Sequence, residues 1–163
     1  MSVLEVVEKF VSINGEGTKA GQLAVFIRFK GCNLNCKYCD TKWANEADAT
    51  AQQMTKEDIL EYVLSTGVKN VTLTGGEPLL RDGIEDVIEC LADNNLNVEI
   101  ETNGSIPLDN IRKLHKDNVT FTMDYKLSCS GMEQAMRLEN FSVLNKNDTV
   151  KFVAGCNEDL VRT

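Results

Sequence analysis

The stretch Thr55-Lys56-Glu57-Asp58-Ile59-Leu60-Glu61-Tyr62-Val63-Leu64-Ser65-Thr66-Gly67-Val68-Lys69-Asn70-Val71-Thr72-Leu73-Thr74-Gly75-Gly76-Glu77-Pro78 holds one helix, one strand and the turn that leaves the strand. The Thr55 hydroxyl can cap a helix over Lys56 to Leu64, and Gly67 stops it. The β-branched run Asn70 to Thr74 is too short for a helix and reads as a strand. A second helix over Gly83 to Asp93 follows, with Ile84, Val87, Ile88 and Leu91 on one face. Further strands are expected at Val6 to Ser12, Ala24 to Phe29, Asn97 to Glu101, Val119 to Asp124 and Thr149 to Ala154. Weaker helical patterns cover Leu108 to His115 and Met132 to Leu144. Strand and helix in alternation predict an α/β fold with a mostly parallel sheet. Right-handed crossovers would curl that sheet into a partial (β/α) barrel. Asn157 to Leu160 reads as the first turn of another helix, so the expectation is one domain over residues 1–163 that is truncated at its C-terminal end.

Composition narrows the function. The chain has 163 residues with 17 basic and 25 acidic side chains, a formal charge of -8. That balance argues against nucleic acid and against an anionic membrane as partners. No apolar run approaches the ~20 residues that span a bilayer, and Met1-Ser2-Val3-Leu4-Glu5 lacks the basic start of a secretory signal, so a cytoplasmic protein is expected. Six cysteines then read as ligands or free thiols rather than as disulfides. Cys90, Cys129 and Cys156 have no clustered spacing and read as small buried hydrophobes. His115 lies in a polar stretch and reads as a solvated helix end.

The remaining cysteines lie in Gly31-Cys32-Asn33-Leu34-Asn35-Cys36-Lys37-Tyr38-Cys39-Asp40. They offer three thiolates and no fourth, whereas iron-sulfur clusters are normally held by four. An incomplete set of ligands is how a metal centre keeps a position for a substrate or cofactor. Three buried core cysteines on one helical face are the structural alternative, and Gly31, Asn33 and Asn35 speak against that helix. Zinc is another, without an obvious fourth ligand.

Functional groups of such a sheet gather at the C-terminal strand ends. The first strand runs into Ser12-Ile13-Asn14-Gly15-Glu16-Gly17. The second carries Arg28 and delivers the cysteine loop. The third ends in Thr74-Gly75-Gly76-Glu77, the fourth in Glu101-Thr102-Asn103-Gly104 and the fifth in Asp124-Tyr125-Lys126. Each motif alone is compatible with a turn, and Arg28 or Glu77 with a solvated charge. Their recurrence at successive strand ends points to one pocket.

Cys-x3-Cys-x2-Cys, with Tyr38 before the third cysteine and Gly75-Gly76-Glu77 at a strand end, resembles the radical S-adenosylmethionine superfamily. Ser12 to Gly17, Phe26 to Cys32 and Cys39-Asp40-Thr41-Lys42-Trp43 resemble its 7-carboxy-7-deazaguanine synthase family, in its clostridial form and over nearly the whole chain. Asn14 stands where that family often has glutamine, and Asp124-Tyr125 where other branches carry Ser-Pro. The resemblance implies a [4Fe-4S] cluster on Cys32, Cys36 and Cys39. S-adenosylmethionine would chelate the open iron and be framed by Tyr38, Cys39, Asp40, Gly76, Glu77, Asp124, Tyr125 and Lys126. Ile13, Asn14, Gly15, Arg28 and Thr74 would hold the substrate, and Thr41 a magnesium ion. The implied reaction is radical ring contraction of 6-carboxy-5,6,7,8-tetrahydropterin to 7-carboxy-7-deazaguanine with loss of ammonia, a carbon-nitrogen lyase step towards queuosine. It would draw its electron from a donor such as flavodoxin or ferredoxin, and no catalytic residue is implied beyond the cofactors. The assembly state, a homodimer among the options, stays open. A glycyl-radical activase of the anaerobic ribonucleotide reductase kind, or a non-catalytic iron-sulfur module, are the alternatives.

Overall fold

The computed structural model describes residues 2–163. Seven strands form one open sheet: β1 (Leu4–Ile13), β2 (Leu23–Phe29), β3 (Gln52–Met54), β4 (Asn70–Gly75), β5 (Asn97–Thr102), β6 (Val119–Tyr125) and β7 (Thr149–Phe152). Their order is β3-β1-β2-β4-β5-β6-β7. The pairs from β2 through β7 are parallel, while β1 runs antiparallel to both β2 and β3. The fold is thus the expected α/β partial barrel, with an antiparallel edge added.

Period-two alternation divides the strand residues between two faces. Val25, Ile27, Phe29, Val71, Leu73, Val98, Ile100, Phe121 and Met123 form one face and are fully or almost fully buried. They pack against Ile59 and Val63 of α1 (Lys56–Thr66) and Val87, Ile88 and Leu91 of α2 (Ile84–Asp93). Each such side chain contributes about 1.5–3 kcal/mol when removed from water. The opposite face carries Arg28, Thr72, Thr74, Glu99, Glu101, Thr122, Asp124 and Lys151, and polar chemistry is therefore confined to one side of the sheet.

Helix α1 has the cap anticipated from its sequence. The Thr55 hydroxyl accepts from the Asp58 backbone, the Asp58 carboxylate accepts from the Thr55 backbone, and Gly67 closes the helix in the left-handed region. Two other expectations are corrected. The helix expected over Leu108 to His115 is a single turn, α3 (Asp109–Arg112), beyond which the bonding tightens to Leu114 N–Ile111 O and His115 N–Arg112 O and the chain turns away at His115, whose φ is +52°. The helix expected over Met132 to Leu144 is replaced by short 3₁₀ turns. The cause is Asn140, whose buried amide donates to the Gly104 and Ile106 carbonyls while its oxygen accepts from Leu108 N. Those tertiary bonds pin the segment across the end of β5. Helix α4 (Asn157–Arg162) follows β7, where one helical turn was expected.

The segment between β1 and β2 folds over the polar face. Asn14 is buried and its side-chain amide donates to Glu99 and, at 3.5 Å, to the Thr72 hydroxyl. Gly17 has φ of +65°, and a Cβ there would lie 1.7 Å from the Glu99 carboxylate, so only glycine permits this approach.

Candidate active site

At the C-terminal ends of β2, β4, β5, β6 and β7 the polar face opens into a cavity of about 370 Å³. Its wall includes Cys32, Cys36, Cys39, Tyr38, Asp40, Thr41, Arg28, Thr74, Gly76, Asp124 and Lys126. The register explains the convergence. Arg28 pairs with Thr74 and Phe29 with Gly75, so the cysteine loop leaves β2 beside the end of β4. Gly76 N donates to Phe29 O at 3.2 Å and Glu77 N to Gly31 O at 3.0 Å. A Cβ on Gly76 would stand 2.0 Å from Gly31 O, so the two backbones touch only because this residue is glycine. The loop is also held from behind: Lys37 N donates to Ser130 O at 3.0 Å, and the Tyr38 hydroxyl to Val153 O at 3.3 Å.

Burial pushes the Cys32 and Cys36 thiols up, Cys32 despite hydrogen bonds from Leu34 N and Asn103, and Cys36 despite the Lys126 charge. Left alone they stay protonated at neutral pH; a cation that takes their charge is what would deprotonate them. Two residues of the wall, Asn45 and Asp124, each carry a buried Oδ1 without a hydrogen-bond partner among the described residues. Three thiols, two unused acceptors and a bare glycine backbone fit a cluster with a polar cofactor beside it.

The far wall is a charge network. Lys126 Nζ donates to Asp124 at 2.6 Å, and Lys151 Nζ binds both Glu16 oxygens at 2.8 and 3.0 Å and lies 3.6 Å from Asp124. Burial would lower both lysines, but the carboxylates outweigh it and hold both up, so both stay charged. Burial raises the Glu101 carboxyl, which accepts from the Thr74 hydroxyl at 2.6 Å. Arg28 meets Glu8 through Nε at 3.0 Å and lines the cavity.

Five of the residues singled out in the sequence lie outside the cavity wall. Ile13 is 65% exposed and Gly15 is exposed, while Asn14 spends its side chain on Glu99 and Thr72. Tyr125 points to the other face, between Phe141 and Phe152. Glu77 is fully buried and its carboxylate is occupied by Leu79 N, the Thr102 hydroxyl and Asn103 N. Conversely, the wall contains Asn45, Thr122 and Lys151, which the sequence did not single out, and Glu16, Glu101 and Asn103, which it placed in strand-end motifs without giving them a ligand. Alternation on β5 and β6 could have flagged Glu101 and Thr122, since each shares a face with Thr74. Nothing local marks Asn45.

One cysteine reading is overturned. Cys129 and Cys156 are not free hydrophobes but form a disulfide across 27 residues, and Cys90 is only partly buried on α2. Asp159 lies beside this pair and accepts from the Ser128 hydroxyl, Cys129 N and Gly155 N. A second cavity, of about 340 Å³, lies at the opposite strand ends among Asn70, Asn97 and Asn118. It is nearly as large, but it lacks the thiols and the charge network, so chemistry rather than volume identifies the site.

Comparison with known proteins agrees. The Radical SAM superfamily model matches residues 26–125. A 7-carboxy-7-deazaguanine synthase of Clostridium acetobutylicum is 61% identical over 157 residues, 96% of this chain and 71% of that protein. One from Methanospirillum hungatei is 35% identical over 160 residues, and the chain spans 64% of its length. The crystal structure of QueE from Escherichia coli superposes with a TM-score of 0.73 at 26% identity, covering 98% of this chain and 75% of that one. A cysteine loop packed on a Gly-Gly-Glu strand end, in a chain with these relatives, places it in the radical S-adenosylmethionine superfamily and, within that, in the 7-carboxy-7-deazaguanine synthase family.

Proposed function

We propose that the protein converts 6-carboxy-5,6,7,8-tetrahydropterin to 7-carboxy-7-deazaguanine and ammonia. The observation that carries this reading is one cavity bringing together Cys32, Cys36 and Cys39 with Arg28, Thr74 and the Asp124–Lys126 pair. The cysteines would hold a [4Fe-4S] cluster, and S-adenosylmethionine would lie between it and Asp124 to Lys126, with Tyr38, Asp40 and the Gly76 backbone alongside. When bound, the two supply a reducing electron and a carbon radical able to remove hydrogen from C6 of the pterin. The chain itself does the rest by placement. Arg28 presents a planar fork of donors to the substrate carboxylate. Glu101, its carboxyl raised by burial, and the Thr74 hydroxyl that donates to it stand where a heterocycle edge would lie. The paired lysines place positive charge on the far wall.

Magnesium is assigned to Thr41, which shares the wall with Asp40 and Asn45; an oxygen-rich, sparsely liganded corner suits that ion. The electron is assigned to a flavodoxin- or ferredoxin-type donor. No helix among the described residues is long and apolar enough to cross a membrane, in keeping with a cytoplasmic small-molecule enzyme. Arg28 in this corner favours a small carboxylic acid over a protein substrate.

The test is anaerobic reconstitution with iron and sulfide, then incubation with S-adenosylmethionine, reductant, magnesium and the pterin, with products identified by mass spectrometry. The deazaguanine acid is expected, with turnover stimulated by magnesium. Methionine and 5′-deoxyadenosine without it would remove the substrate assignment while keeping the radical class.

A further inference from the structure

Asn103 stands at the end of β5 in the run Glu101-Thr102-Asn103-Gly104, and nothing in the proposed reaction uses it. Its side chain is buried, with 7% of the residue exposed. The amide nitrogen lies 3.0 Å from Asn33 Oδ1 and 3.5 Å from Sγ of Cys32, the first cysteine of the loop. Its oxygen accepts from Ser105 N at 3.0 Å and the Ser105 hydroxyl at 2.6 Å. Ser105 N can only donate, so a flipped amide would set donor against donor. The amide proton is therefore committed to the sulfur side. Its backbone is fixed as well, because Asn103 N donates to the buried Glu77 carboxylate at 2.7 Å. The Gly-Gly-Glu carboxylate thus does not reach the cavity; it holds the residue that touches the ligand. Cys32 Sγ also accepts from Leu34 N at 3.4 Å, whereas among the described residues the Cys39 sulfur meets only the Thr41 hydroxyl, at 3.6 Å. The three thiolates are not equivalent.

We propose that Asn103 is a positioning residue for the cluster: its side-chain amide, anchored through Glu77, donates to the Cys32 sulfur and raises the cluster's reduction potential. The inference rests on the cluster assignment above. Hydrogen bonds to ligand sulfurs are among the determinants of iron-sulfur potentials, because a donor stabilises the extra negative charge that one-electron reduction places on the thiolates. A donor held on a rigid strand end makes that contribution independent of bound substrate.

The test uses the reconstituted protein and the variants Asn103→Leu, which fills the space without a donor, and Asn103→Asp, which keeps the acceptor for Ser105. Potentials are read by redox titration of the electron paramagnetic resonance signal, without S-adenosylmethionine. Asn103→Leu should shift the equilibrium towards the oxidised cluster about tenfold, a fall of ~59 mV for a one-electron couple, and Asn103→Asp further. Variants that keep wild-type iron content and absorption but titrate within about twofold of wild type, ~20 mV on the same scale, would overturn the proposal. A merely structural role would lower occupancy and leave the potential unmoved. Should either variant fail to hold a cluster, the wild-type protein decides. Grown on amide-15N asparagine, its reduced cluster should show a 15N hyperfine coupling, and absence of that coupling would refute the contact. A wild-type protein that assembles no cluster at all is a separate result, which removes the family reading of the cysteines as well.

Discussion

Glu77 joins the ends of β4 and β5, and its protonation can be read as stability. It has no solvent exposure and accepts from Leu79 N at 3.1 Å, the Thr102 hydroxyl at 2.9 Å and Asn103 N at 2.7 Å. Burial pushes its carboxyl from 4.5 up to about 7, outweighing these donors, which favour the charged form. A carboxyl raised in this way takes up its proton in the folded chain while the unfolded chain has already lost it. Its stabilising contribution is full below pH 4.5 and drains away as pH rises through about 7. Between pH 5.5 and 8 the loss comes to about 2 kcal/mol. Glu77→Gln removes the titration. It also turns an amino group towards one of three N–H or O–H donors, which costs about 1–3 kcal/mol by leaving a buried donor unpaired. The wild type should therefore be the more stable at pH 5.5, and the gap should narrow or reverse by pH 8, by about 2 kcal/mol. Urea unfolding of the cluster-free proteins, followed by circular dichroism at fixed ionic strength and fixed redox state, measures the gap directly. A gap that is constant across this range would refute the argument, because it would mean that Glu77 does not change protonation there.

Three further outcomes follow from particular contacts. Gly76→Ala should lose most cluster loading, since its Cβ would fall 2.0 Å from Gly31 O and push the cysteine loop off β4; iron and sulfide analysis after reconstitution checks this, and full loading contradicts it. Arg28→Gln should raise KM for the carboxylated pterin by about tenfold to a hundredfold, the worth of a charge-assisted hydrogen bond, with a smaller change in kcat; steady-state kinetics separate the two. Cys129→Ser should cost about 3.5 kcal/mol by the chain-entropy account for a closure of 27 residues. Reductant should destabilise the wild type by a similar amount and leave the variant untouched, and equal stability of all three would contradict the pairing.

The strand pattern was legible because Val25, Ile27, Val71, Leu73, Val98 and Ile100 obey strict alternation with polar partners on the other face. β3 was not legible, since Gln52-Gln53-Met54 is short and polar and becomes a strand only by pairing with Leu4 to Val6. The failed helix over Met132 to Leu144 has adequate local propensity and is overruled by Asn140, whose partners lie on another element. The cysteine loop was legible because its spacing is local. Lys151 was not, since only the β6–β7 register, with Asp124 opposite Lys151, brings it to the cavity. The same holds for Cys129 and Cys156, joined by the way the segments after β6 and β7 fold together. Glu77 shows the converse: its motif was conspicuous, but its carboxylate turned out to serve neighbouring strand ends.

The central claim is that a pterin lies in this cavity with C6 towards the carbon that S-adenosylmethionine would present. Incubating the reconstituted protein with the pterin deuterated at C6 tests it most directly. The account predicts 7-carboxy-7-deazaguanine as product, with deuterium from C6 recovered in the 5′-position of the S-adenosylmethionine pool or of 5′-deoxyadenosine. Deazaguanine formed with no deuterium transfer, or cofactor cleavage with no pterin consumed, would contradict it.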